Sequence, residues 1–294
     1  MKAPLSLSER AILNTLGYFD YFRYPLTAEE IHRFLEIELT QEELKNTLFK
    51  MMEDQLISSD ETFFSLYGKL PLFERRKTSN ALALSLLPRA RKVGQFLYQF
   101  PFVRFVGISG SLSKLYADEH TDFDFFIITA PNRLWIARSL MHAFKKMSFL
   151  VGKQHHFCMN YYLDAEHLRI EDENRYTAIE LSTLIPVANP ALLEQLILEN
   201  TWLKELVPNF RISPIQNDKS DRQGTLKRIS EWLLNGCIPN AMNRFLMQLT
   251  DFKWKRKWKK AGFPEEDYAL AFRTREYVSK NHPKNYQKRV LKET

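Results

Sequence analysis

Apolar positions recur at helical spacing from the start of the chain, where Ala11, Ile12, Leu16 and Phe19 share one face. Thr27 stands three residues before Glu30, and Thr40 three before Glu43, so each pair predicts a capping box. Behind the boxes run Ile31, Phe34 and Leu35, then Leu44, Leu48, Met51 and Met52, again at helical spacing. Leu56-Ile57, a polar stretch over 58–61 and an aromatic-rich run over 62–66 predict strand, turn and strand. Residues 73–100 return to a helical pattern, which Pro88 is expected to interrupt and Pro101 to end. An apolar run over 102–108 predicts a strand. Residues 123–129 predict another, apolar on both faces and therefore interior to its sheet. A helix is expected over 134–150 and a third strand over 157–163, bounded by Asp164. Beyond Tyr176 the pattern predicts helices only, separated by Pro186, Pro190, a polar linker over 208–223 and Gly262-Phe263-Pro264.

These elements group into three parts of an α+β protein. Residues 1–70, three helices closed by a hairpin, resemble a winged helix-turn-helix; residues 71–175 carry the strands of a mixed β-sheet; residues 176–294 read as a helical domain. Charge divides along the same lines. The net +7 of the 294 residues comprises a balance of −5 over 1–70, +3 over 71–223 and +9 over 224–294, so an anionic partner is expected to meet the last part first. The helix in the recognition position, 41–55, carries Glu42, Glu43, Glu53 and Asp54 against Lys45 and Lys50, a charge that phosphates would repel. A protein contact suits it better than DNA. Hydrophobic residues at 45% and charged residues at 26% describe a globular chain. Cys158 and Cys237 form no C-x-x-C pair, and Glu9 and Arg10 precede any long apolar stretch. A cytoplasmic protein with no membrane partner, signal peptide or disulfide framework is therefore expected.

The chemistry concentrates in Gly107-Ile108-Ser109-Gly110-Ser111 and Thr121-Asp122-Phe123-Asp124, followed by Phe125-Phe126-Ile127-Ile128. Asp122 and Asp124 stand two apart on a strand, so both carboxylates project from one face while Phe123 and Phe125 point the other way. Carboxylates so placed can hold divalent cations on hard oxygen ligands, and two metals about 4 Å apart can clamp both oxygens of an in-line phosphoryl displacement. Gly110 lets the backbone approach a triphosphate, and the Ser111 hydroxyl can donate to its oxygens.

Gly110-Ser111, ten residues ending in Thr121, and then Asp122-Phe123-Asp124 on an apolar strand resemble the signature of the DNA polymerase β-like nucleotidyltransferase superfamily. The similarity spans roughly residues 102–163. It implies a nucleotidyltransferase core in which Ser111 contacts the phosphates of an NTP, and Asp122 and Asp124 ligate up to two Mg²⁺ ions. A nucleoside monophosphate would then pass to an acceptor hydroxyl, with the acceptor left open. The family's third carboxylate belongs on a neighbouring strand, where this chain has Asn160; Asp164 is the first substitute and Glu180 the second. An amide there motivates an alternative, a catalytically impaired nucleotide-binding regulator or adaptor of the same fold.

Three further features bear on the chemistry. Trp254 and Trp258, four apart amid Lys253, Lys255, Arg256, Lys257, Lys259 and Lys260, could stack on a nucleic acid or pack on a neighbouring helix, and packing is the expectation. His155-His156, adjacent on a strand, would face opposite sides and so reads as structural rather than metal-binding. Ser109 and Ser111 have no histidine and acid placed as a hydrolase triad, and Gly-Ile-Ser-Gly-Ser is not a nucleophile elbow.

Overall fold

The capping boxes form as the sequence predicts. In this computed structural model, which describes residues 4–67, 70–148, 157–212, 224–237 and 240–282, Thr27 caps helix α2 (Ala28–Phe34) and Thr40 caps α3 (Gln41–Glu53), each with its reciprocal glutamate. A third box, Ser6 with Glu9, opens α1 (Leu7–Asp20). The three helices enclose Ile12, Leu16, Phe19, Ile31, Leu44, Leu48 and Met51. The predicted hairpin is shorter than the apolar run: β1 (Ser58–Ser59) pairs with β2 (Phe64–Ser65), and Leu26 bridges to Phe64.

Helix α4 (Leu70–Tyr98) runs through Pro88 without interruption, contrary to expectation. An interior proline removes the bond to the carbonyl four residues earlier. Here that residue is Leu84, on the exposed side, where water can take its place. The opposite side buries Ala83, Ala90 and Leu97 in the central core, which holds the helix together.

The sheet has six strands in the order β6-β3-β4-β5-β8-β7. Strands β3 (Val103–Ser109), β4 (Asp124–Thr129) and β5 (Cys158–Asp164) stand where the apolar runs predict. β3 and β4 are antiparallel, while β4 and β5 are parallel and joined across α6 (Leu134–Ser148). One face, with Phe125, Ile127 and Tyr162, packs under α4 and α6; the other, with Phe126, Ile128 and Leu163, packs under α7 (Arg175–Ser182) and α8 (Pro190–Glu199). The short α5 (Gly110–Ser113) links β3 to the loop that returns as β4.

The expected purely helical domain after residue 176 is corrected by three strands. β6 (Ile185–Ala188), β7 (Phe272–Arg275) and β8 (Val278–Asn281) all join the central sheet. Pro186 disguises β6, yet at a sheet edge a proline costs no ladder bond, and β6 pairs only with β3. β7 and β8 are four-residue segments rich in Arg, Thr, Ser and Lys, with too few apolar positions to signal a strand. They pair because β5 offers an open edge. Helices α10 (Thr225–Cys237) and α11 (Asn240–Lys260) pack beside α6, where Asn243 Oδ1 accepts from the backbone N–H of Trp135 at 2.8 Å and of Ile136 at 3.3 Å. Of the expected linker over 208–223, residues 213–223 lie outside the described residues. No helix among the described residues is long and apolar enough to cross a membrane.

Arg76 of α4 fastens the N-terminal module to the core. It is 1% exposed, and its guanidinium donates to Pro25 O (3.1 Å), Leu115 O (3.0 Å), Tyr24 Oη (2.7 Å) and Glu30 Oε1 (2.9 Å). The cation also lies 4.2 Å from the Tyr24 ring centroid. Tyr24 in turn donates to the Lys114 carbonyl. Removing a buried charge leaves its partners unsatisfied, so Arg76→Met is expected to cost about 3–5 kcal/mol in urea denaturation. A loss below about 1 kcal/mol would show that the junction does not rest on this residue.

Candidate active site

The antiparallel register of β3 and β4 sets Ser109 opposite Asp124, so the glycine corner after β3 meets the carboxylate that begins β4. Gly110 has φ +68°, and a Cβ placed there would lie 2.5 Å from Asp124 Oδ2. Only glycine permits both the backbone angle and the contact. Asp122 precedes the strand, and its charge acts on Asp124. Phe123 and Phe125 anchor the segment in the core on the α4–α6 side, which leaves Asp124 on the α7 side by strand alternation. The Ser111 hydroxyl is exposed and makes no hydrogen bond among the described residues. The structure thus brings together Gly110, Ser111, Asp122 and Asp124.

The loop between the two halves of the site is held by the N-terminal module and α4. Leu115 O accepts from Arg76, and Ala117 N donates to Ser79 O at 3.2 Å. Asp118 then shapes the turn into β4: its Oδ1 accepts from His120 N at 2.9 Å, and its own N–H donates to Thr121 Oγ1 at 2.7 Å. Thr121 therefore serves the turn.

Burial pushes the Asp124 carboxyl up to about 7, with the charges of Asp122 and Glu180 adding to the effect and Lys114 opposing it. Asn160 Nδ2 donates to Asp124 Oδ1 at 2.8 Å. Asn160 is the extra residue of a β-bulge, since Phe125 pairs with Met159 and Phe126 with Tyr161. Cys158, opposite Asp124 across β4 and β5, has its thiol raised to about 12 by burial and by the Asp124 charge, so it is a protonated neighbour rather than a nucleophile. Lys114 Nζ donates to Gly110 O at 3.0 Å and pairs with Glu180 at 2.7 Å, tying the glycine corner to α7. Sequence reading singled out neither Lys114 nor Cys158, because both act through contacts made only in the folded chain.

Asp164, the first substitute for a third carboxylate, is elsewhere. It pairs with Thr129 at the far end of β4 from Asp124, a separation of roughly 17 Å at about 3.3 Å per residue. It is buried, and it accepts from Asn132 N at 2.7 Å and Glu166 N at 2.9 Å, which makes it a loop organiser. The strand pattern misled because the bulge at Asn160 breaks the alternation between the two positions. Glu180 lies close enough for its charge to raise the Asp124 carboxyl, but it is neutralised by Lys114. Among the described residues no group of three or more His, Cys, Asp or Glu could hold a metal ion. Two carboxylates beside a glycine cradle nevertheless suit one Mg²⁺, an ion that commonly takes one or two protein carboxylates and completes its shell from water and substrate phosphates. A second Mg²⁺ finds no further carboxylate where Asn160 stands.

The remaining candidates resolve simply. Trp258 is buried and donates to Pro264 O at 2.9 Å, while Trp254 packs 4.9 Å from the Phe272 ring and against Arg138. Both tryptophans belong to packing, and the aromatics that α11 exposes are Phe245 and Phe252. On α3, Glu42, Glu43 and Glu53 are exposed, consistent with a surface unsuited to phosphate. His155-His156 lies outside the described residues.

Asp124 titrates higher in the folded chain than the ordinary carboxylate value of 3.8, so the folded state holds the extra proton between pH 4 and 7. Stability from this group is then full at acid pH and falls as pH rises through that window. Asp124→Asn is expected to match the wild type near pH 4 and to exceed it at pH 8 in urea denaturation; a variant less stable at pH 8 would contradict the assigned environment. Comparison with protein-family models, with curated proteins and with solved structures finds no match for this chain.

Proposed function

We propose that the chain is an Mg²⁺-dependent nucleotidyltransferase that moves a nucleoside monophosphate from an NTP to an acceptor hydroxyl. The observation that carries the reading is the close approach of the Asp124 carboxylate to Gly110, where a Cβ would lie 2.5 Å from Oδ2; it supports a phosphate corner and metal ligands at one place. Asp122 and Asp124 would hold the ion, which when bound neutralises phosphate charge and polarises the phosphorus centre. Gly110 and the Ser111 hydroxyl would bind the β and γ phosphates. Lys114, through Gly110 O and Glu180, would keep the corner in place. The acceptor hydroxyl attacks the α phosphorus, losing its proton to water, as the bond to pyrophosphate breaks, and positioning with charge neutralisation supplies most of the acceleration.

Asn160 favours a second reading. An amide bonded to Asp124 occupies the place of a third acid, which suits a nucleotide-binding regulator or adaptor without transfer activity. The two readings part on one measurement. NTP with Mg²⁺ is expected to bind the purified chain, and Asp122→Ala with Asp124→Ala to reduce the affinity at least 100-fold. Binding unchanged in that double variant defeats both readings. Transfer of α-labelled nucleotide to any acceptor selects the enzyme. No transfer by the wild type, together with transfer gained in Asn160→Asp, selects the adaptor.

A further inference from the structure

Arg138 lies on the buried side of α6 with 6% of its surface exposed. Its guanidinium sits 4.7 Å from the Trp254 ring centroid and 5.3 Å from that of Trp135. Among the described residues it has no hydrogen bond and no carboxylate partner. This contrasts with Arg76, each of whose three nitrogens donates a hydrogen bond. Ring faces offset part of the cost of burying a cation, but they accept none of its five N–H donors in the carboxylate-like geometry that guanidinium fits.

Three other unpaired groups stand on the same side of the sheet. Tyr162 of β5 and Ser279 of β8 are directly opposite in the antiparallel register, both 1% exposed, so their side chains share the face that α6 covers. Tyr162 Oη and Ser279 Oγ are buried without a hydrogen-bond partner. One turn along α6 from Arg138, His142 Nε2 is also buried and unpaired, with its ring 6.3 Å from that of Tyr162. Arg138 and Tyr162 are near enough to act on each other's ionisation, and the Arg138 charge also acts on His142. A buried polar group left unpaired is destabilising, and an uncompensated buried charge more so. Three buried, unpaired polar atoms, on Tyr162, Ser279 and His142, thus stand on the side of the sheet where Arg138 holds its charge.

We infer that Arg138, His142, Tyr162 and Ser279 form a binding site for a small oxyanion, a phosphate or carboxylate group. The guanidinium supplies the counter-charge, both hydroxyls donate, and a neutral imidazole with its proton on Nε2 adds a third donor. The site lies under α6, across the sheet from the face that bears Asp124, and does not depend on the nucleotidyl-transfer reading.

Calorimetric titration of the full chain with inorganic phosphate, and separately with acetate, tests this. The Asp122→Ala/Asp124→Ala background, without divalent cations, removes the other candidate phosphate site. One oxyanion is expected to bind per chain, with equal concentrations of chloride failing to displace it. Tyr162→Phe and Ser279→Ala, each lacking only a hydroxyl, are expected to weaken binding about five- to ten-fold, and Arg138→Met to abolish it. Preference for phosphate or for acetate identifies the group. No saturable binding of either anion, or equal affinity in the wild type and both hydroxyl variants, overturns the assignment, whether or not Arg138→Met folds.

Discussion

The pairing of β3 with β4 is the constraint on which the rest depends. Because Ser109 faces Asp124, the chain must turn immediately after β3 and come back through a loop that ends where it began. The turn falls on Gly110 at positive φ, beside a carboxylate that leaves no room for a Cβ. A register slip of one residue would send Asp124 to the apolar side of the sheet and Phe125 to the polar one. The apolar faces on both sides, with Phe125 and Ile127 under α4 and α6 and Phe126 and Ile128 under α7 and α8, make that slip costly. Core burial on two faces thus fixes the geometry of a polar corner that contributes little stability itself.

Elements remote in sequence serve this corner. The N-terminal module acts as a brace: Arg76 and Tyr24 hold the carbonyls of Leu115 and Lys114, on the loop that joins the two halves of the site. Arg175 adds a second tie, with an ion pair to Glu36 at 2.7 Å and a hydrogen bond to Thr15 at 3.0 Å. From the other side α7 presents Glu180 to Lys114. The acidic helix α3 takes no part in these ties, and its exposed face remains the module's outward surface.

The protein places buried charge in two ways. Arg76 and Lys227 are satisfied, the latter by the carbonyls of Tyr98 and Val103 at 2.7 and 2.6 Å, and both lock helices to the core. Asp124 and Arg138 are only partly compensated, by an amide and by ring faces respectively. Compensation marks a structural tie, and its shortfall marks places where a ligand has something to offer.

The sequence by itself determined the capping boxes, the three apolar strands, the glycine corner and the paired carboxylates, because each depends on residues within a few positions of one another. It also determined the acidic module and the basic C-terminal part. Tertiary structure alone decided what lies between distant segments. Asp164 alternates with Asn160 on paper, but a bulge and the far end of the strand carry it away from Asp124. The strands β6, β7 and β8 carry too little apolar signal to be read locally, and they exist because β3 and β5 present open edges to them. Lys114 on Glu180 and Asn160 on Asp124 are likewise invisible in the chain, since local periodicity encodes which face a residue takes and says nothing of which partner it meets there.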